Sequence, residues 1–300
     1  MLKDRINFSC KHDVLIQNPD GTYLPMDTPY FESEYIAPGT WRIHSDGDAI
    51  YLVEGENEAI VIDTGYGAGN IREYCQSLTS KPVRNVINTH DHFDHTANNA
   101  YFEKAYMTEA TKPLATIPFP SFEGIDFPRD YPVEIVKEKD VIHLGGRTLE
   151  VIEIPDHAVG SIALLDKKEK ILFSGDEIID GFKKINGKLS TVLDQYKKIW
   201  NRRKDINVIW PGPGGKCTIE TVEKYIRTME YILDGGKSEE GSGFKKMGRI
   251  EPMFTESGQT VYQRYKVRAC DMHLEKEVAQ RGIRHVDLFG VLVIFSDDNL

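Results

Sequence analysis

Between Trp41 and Asp63 the chain alternates short runs of β-branched and aromatic residues with polar quartets: Trp41–His44, Ala49–Glu54 and Ala59–Asp63 are separated by Ser45-Asp46-Gly47-Asp48 and Gly55-Glu56-Asn57-Glu58. That spacing predicts a meander of antiparallel strands joined by turns. Ahead of it, residues 1–35 carry turn formers (Asn18-Pro19-Asp20-Gly21) and aromatics but no period, and read as an irregular lead-in. Ile71, Tyr74, Cys75 and Leu78 then fall at i, i+3, i+4 and i+7, which predicts a helix over 68–78. A buried strand is expected at Arg84–Asn88, a short helix at Asn98–Phe102 and an extended run at Ala105–Thr108, followed by a proline- and aromatic-rich loop over 110–132. Strands resume at Val133–Val136, Thr148–Ile154, Ser161–Asp166, Lys170–Ser174 and Val208–Trp210, with a polar helix at Ser190–Asn201 and another from Thr218 to Leu233. Strands interleaved with helices in this way predict an α/β protein.

The stretch 234–248, DGGKSEEGSGFKKMG, has the composition of a linker. It separates a main domain over 1–235 from an extension over 236–300 that either packs on the core or stands apart. In the extension, Gln259–Cys270 and Val286–Phe295 each read as one strand, and the second is apolar enough to need burial. It can find that by pairing with the core, by covering a site or by building a homodimer.

Composition narrows the function. With 37 basic against 47 acidic residues the net charge is −10, which argues against nucleic-acid or anionic-membrane partners, because both need a basic surface. The four cysteines form no CxxC pair, so neither a disulfide framework nor a thiolate zinc site is expected. The opening MLKDRINFSCKHD has no signal-peptide run and no uncharged stretch approaches membrane-spanning length, so a soluble cytoplasmic protein is expected.

The chemistry gathers in Asn88-Thr89-His90-Asp91-His92-Phe93-Asp94-His95, directly after an apolar strand. Three imidazoles with interleaved carboxylates are costly to bury unless a cation compensates them. In an extended segment residues i and i+2 project to one side, so His90 and His92 can reach one metal. A turn into a helix after Phe93 would direct Asp94 and His95 to a neighbouring position. Imidazole with carboxylate suits a catalytic Zn²⁺, Fe²⁺ or Mn²⁺.

Here the chain resembles the metallo-β-lactamase superfamily, whose HxHxDH signature stands as His90, His92, Asp94 and His95. Val61-Ile62-Asp63-Thr64-Gly65 is similar to the family's strand–Asp–x–Gly element, Pro155-Asp156-His157-Ala158-Val159-Gly160-Ser161 to PGHTxGS, and Phe173-Ser174-Gly175-Asp176 to FTGD. The resemblance implies an αββα sandwich of two mixed sheets flanked by helices. It also implies one metal site of His90, His92 and His157, a second of Asp94 and His95, and Asp176 between them. Asp63 is expected to hold the loop from behind. One element is broken: Pro213 in Trp210-Pro211-Gly212-Pro213-Gly214 stands where a histidine ligand is expected, and proline offers no side-chain donor. Either the second site binds weakly, another residue substitutes (His273 and His285 are candidates), or one site alone is filled.

A cation held by neutral histidines lowers the pKa of bound water toward ~7 and polarises a carbonyl. Asp94 then anchors a second ion or orients the attacking water. The expected function is a metallo-hydrolase of a small ester, thioester or lactone, using one or two zinc ions. A mononuclear iron sulfur dioxygenase and a non-catalytic metal-binding member remain as alternatives.

Overall fold

The computed structural model describes residues 14–17, 21–25, 31–45, 48–65, 67, 69–116, 128–243, 253–254, 260–263 and 282–300. The chain divides into two compact units. One comprises 1–136, 143–148 and 249–274; the other comprises 137–142, 149–248 and 275–300.

In the first unit β1 (Val14–Gln17) and β2 (Tyr23–Pro25) precede β3 (Glu32–Ala37), β4 (Thr40–Ser45), β5 (Asp48–Glu54) and β6 (Ala59–Ile62). Helix α1 (Ile71–Leu78), β7 (Val83–Ile87), the one-turn α2 (Phe93–Thr96), β8 (Lys104–Met107), α3 (Lys112–Ala115) and β9 (Val133–Ile135) follow. Strands β3 to β9 make a mixed sheet in chain order. Pairing is antiparallel from β3 through β6 and parallel from β6 to β9. The change comes where α1 replaces a tight turn as the connection, since parallel neighbours need a crossover. Asn70 caps α1 by accepting from the Glu73 amide at 3.1 Å, and the helix buries Ile71 and Cys75 on a core with Ile50, Leu52, Val61, Val86 and Phe102. Strand β3 escaped the sequence pattern because it is an edge strand with exposed Glu32, Ser33, Glu34 and Tyr35, and so has no inward face to read. The lead-in is likewise not wholly irregular: β1 pairs with β2 and with β18 (Thr260–Gln263), beside which lies β17 (Met253–Phe254). The expected strand over 259–270 is thus seen at 260–263, and 264–270 lie outside the described residues.

Strands β10 (Val141–His143), β11 (Thr148–Glu153), β12 (Ile162–Asp166), β13 (Ile171–Gly175) and β15 (Val208–Pro211) form one sheet in that order. Strands β11, β12 and β13 are antiparallel, and β13 pairs parallel with β15 across the intervening α4 (Leu189–Asn201). The sequence reads α4 as polar; in fact it buries Leu189, Val192, Leu193, Tyr196 and Ile199 along one stripe. With α5 (Ile219–Leu233) it covers Ile152, Leu165, Leu172 and Ile209.

A further sheet of order β14-β20-β19-β16 joins β14 (Phe182–Lys184), β16 (Glu239–Glu240), β19 (Ile283–Leu288) and β20 (Val291–Ser296). The stretch 286–295, expected as one strand, is therefore most of a hairpin. Leu288 faces Val291, and Phe289 and Gly290 between them have φ +57° and +81°. Positive φ at both central residues is the two-residue turn whose twist matches that of the strands. Val286, Val291, Val293 and Phe295 find their burial in the same core as α5.

Candidate metal centre

In the first unit the strand β7 delivers the histidine-bearing loop, and His92 is the residue from which α2 starts. Asp63, just past β6, holds the loop. Its φ of +61° is a left-handed conformation that costs a non-glycine residue strain, though Asp tolerates it better than most. Its carboxylate accepts the Thr89 amide at 2.7 Å, the Thr89 hydroxyl at 2.8 Å and His95 Nδ1–H at 2.9 Å. These contacts assign the imidazole tautomers. A carboxylate only accepts, so His95 presents its proton to Asp63 on Nδ1, and Nε2 is the nitrogen left for a cation. Thr89 spends its single hydroxyl proton on Asp63, so at its 3.0 Å contact with His90 Nδ1 it must accept. His90 thus also engages through Nδ1–H, and its Nε2 is left for a cation. Fixing a ligand imidazole through its other nitrogen is how metal sites orient histidine.

The His90 ring lies 4.4 Å from that of His92 and 4.0 Å from that of His95, centroid to centroid. The His95 carbonyl is clamped from behind by the Thr64 amide at 3.0 Å, the Thr64 hydroxyl at 3.1 Å and Asn88 Nδ2 at 2.7 Å. Asn88 in turn exchanges hydrogen bonds with Asn99, which donates to the Tyr131 hydroxyl at 3.1 Å. Asp94 Oδ2 lies 3.2 Å from His95 Nε2, and Asp94 Oδ1 is buried with no hydrogen-bond partner among the described residues. Asp91, between the ligand candidates His90 and His92, is buried as well. The sequence also passed over Asp48. It opens β5, is buried, and offers a carboxylate oxygen within 4.8 Å of ligand atoms on both Asp94 and His95. As one of a turn-forming quartet it carried no signal of its own.

The second unit holds His157 and Asp176, with His157 Nε2 at 3.6 Å from Asp176 Oδ2. A buried ion triad fixes the turn that carries His157. Glu177 Oε1 accepts the Asp156 and His157 amides at 2.9 and 2.6 Å, while its Oε2 takes Lys183 Nζ at 2.5 Å. Lys183 also meets Asp156 Oδ2 at 2.8 Å, and Asp156 Oδ1 accepts the Asn186 and Gly187 amides at 3.0 and 2.8 Å. Burial alone would pull the Lys183 ammonium down, but Glu177 and Asp156 outweigh it and hold it above the usual lysine value. Tyr196 donates to the Glu177 carbonyl at 2.6 Å, and burial pushes its phenol well up, so it stays a donor. The aspartate found where the family motif has glycine is therefore one arm of a charge network with Glu177 and Lys183, neither of which the sequence singled out.

Of the substitutes considered for the second site, His285 is engaged with the Gly241 carbonyl at 2.8 Å and lies 3.7 Å from Glu239, and His273 lies outside the described residues. Imidazoles held through Nδ1 so that Nε2 is left for a ligand bond, beside a buried Asp94 oxygen with no hydrogen-bond partner among the described residues, suit a divalent cation.

The sequence profile described as the metallo-beta-lactamase superfamily matches residues 47–215. Acyl-coenzyme A thioesterase MBLAC2 of Bos taurus is 32% identical over 173 residues, 47% of this chain and 62% of that protein. Hydroxyacylglutathione hydrolase of Hyphomonas neptunium is 31% identical over 130 residues, 43% of this chain and 46% of that protein. The matched region thus spans less than two thirds of these curated relatives. A solved metallo-beta-lactamase from Pontibacter korlensis superposes with a TM-score of 0.55 at 18% identity, over 67% of this chain and 99% of its own, which is a likeness of fold. No helix among the described residues is long and apolar enough to cross a membrane.

Proposed function

Because the chain belongs to the metallo-β-lactamase superfamily, we propose that it is a metal-dependent hydrolase that cleaves a small thioester, with simple esters and lactones as related substrates. The observation that carries this reading is the Asp63–Thr89 arrangement, which engages His90 and His95 through Nδ1 and leaves Nε2 of each for a cation among buried carboxylates. The preference for a thioester rests on the thioesterase and the hydroxyacylglutathione hydrolase among its relatives. On the family motif, His90, His92 and His157 would hold one cation, Asp94 and His95 would belong to a second position, and Asp176 would lie between them. A divalent cation bound there supplies Lewis-acid chemistry, acidifying water and polarising a carbonyl.

The chain's own residues do the rest. Asp63 and Thr89 hold the imidazoles of His95 and His90 in orientation through Nδ1 and raise the basicity of His95. The clamp on the His95 carbonyl by Thr64 and Asn88 holds the loop still, which preserves attack geometry. Where no second ion is bound, Asp94 orients the attacking water and takes up its proton at a carboxylate oxygen. Zinc is the proposed metal, with iron or manganese as alternatives, and the cytoplasm the proposed setting.

Thiol release from a panel of acyl-coenzyme A and S-acylglutathione thioesters tests the proposal. Turnover is expected to vanish on dialysis against 1,10-phenanthroline, to return with added zinc or manganese, and to be abolished in His90→Ala with the fold retained. Chelator-insensitive turnover overturns the reading. So does a protein that holds iron and consumes oxygen with a persulfide substrate.

A further inference from the structure

Pro213 removes the histidine that completes the family's second site, and the first unit holds a carboxylate that no motif assigns. Asp48 stands at the start of β5, opposite Ser45 of β4, and is 8% exposed. Its carboxylate, that of Asp94 and the His95 imidazole all present ligand atoms within 4.8 Å of one another. His95 turns Nε2 toward this group because its Nδ1 is committed to Asp63, and Nε2 already lies 3.2 Å from Asp94 Oδ2. Two donors on a common ion at bond lengths of about 2.1 Å can stand no more than about 4.2 Å apart, so that pair is at coordination spacing without rearrangement. Asp94 Oδ1, buried and without a hydrogen-bond partner among the described residues, is the independent sign that a cation belongs here. Two carboxylates brought together away from water are otherwise unfavourable.

We propose that Asp48, Asp94 and His95 bind a second divalent cation, with Asp48 taking the place of the histidine lost at Pro213. Exchanging an imidazole for a carboxylate makes the site harder and raises its charge, so it favours manganese relative to zinc. The proposal rests on the metallo-hydrolase reading for the first cation, and its test separates the two.

The metal-stripped full chain is titrated with manganese(II) chloride and followed by elemental analysis and electron paramagnetic resonance. Wild type is expected to take about two ions per chain and to show a spin-coupled spectrum. Asp48→Asn should take about one and give an isolated six-line signal, with its melting temperature little changed. Two ions in Asp48→Asn overturn the proposal. One ion in wild type also overturns it while leaving the metallo-hydrolase reading intact, whereas no bound manganese or zinc in wild type overturns both. Should Asp48→Asn fail to fold, anomalous scattering from manganese-loaded wild-type crystals decides. A second peak at bonding distance from an Asp48 oxygen supports the proposal; a second peak elsewhere, or none, refutes it.

Discussion

Replacing Lys183 with methionine tests whether the buried ion triad holds the turn that carries His157. The Lys183, Asp156 and Glu177 side chains are 3%, 0% and 2% exposed, and the ammonium lies 2.8 and 2.5 Å from the two carboxylates. At an effective dielectric near 20, each contact is worth roughly 6 kcal/mol before desolvation. Bringing three ions out of water offsets most of that, so the intact triad adds little net stability. Removing only the cation is different, because two buried carboxylates then face each other uncompensated, and losses of about 3–5 kcal/mol are typical. Lys183→Met should therefore lower the unfolding free energy of the metal-free protein by that amount, seen as a lower urea midpoint at an unchanged slope. It should also weaken metal binding measured by chelator competition, since Glu177 can no longer be held against the Asp156 and His157 amides. The double variant Lys183→Met/Glu177→Gln should recover part of both losses, because the neutral amide oxygen of the introduced glutamine still accepts those two N–H groups. A single variant that unfolds within about 1 kcal/mol of wild type, the usual bound for an exposed pair, would refute the assignment of the triad as a buried, structure-determining network.

Asp63→Asn keeps a residue that tolerates the left-handed backbone but loses the full negative charge that fixes His95 Nδ1–H. Metal affinity should fall about 10–100-fold, and an unchanged affinity would show that Asp63 does not set the ligand. Burial, with Asp180 nearby, pushes the Cys217 thiol up to about 12, and burial raises Cys75 as well. Both should resist iodoacetamide at pH 8 in the native protein and react in urea, as read by peptide mass mapping. Labelling of either in the native state would contradict the burial described.

Much of the candidate site was legible because it is local. His90, His92, Asp94 and His95 share one loop, and the alternation of an extended segment followed by the first turn of a helix is enough to group them. Asp63 was legible for a similar reason, since it ends an apolar strand in a recognisable element. Helix α1 declared itself through its period, and the strands β4 to β7 through their runs of β-branched residues. Where a pattern was missing, the reading failed for a physical cause. β3 is a polar edge strand with nothing to bury on its outer positions. The β19–β20 hairpin turns at Phe289-Gly290 without a break in its apolar texture, so two strands looked like one. α4 carries enough lysine and polar residues on its outer side to hide the stripe it buries.

What the sequence determined by itself was therefore the short-range chemistry: which loop gathers imidazoles and carboxylates, and that the late histidine of the second site is absent. Only the tertiary structure decided which distant groups join that chemistry. Strand register brings Asp48 from the β4–β5 hairpin to Asp94 and His95, and the packing of β14 carries Lys183 to Asp156 and Glu177. Backbone periodicity acts over a few residues and leaves its mark in the sequence. Partnerships set by register and burial depend on how whole strands pair, and no local pattern records them.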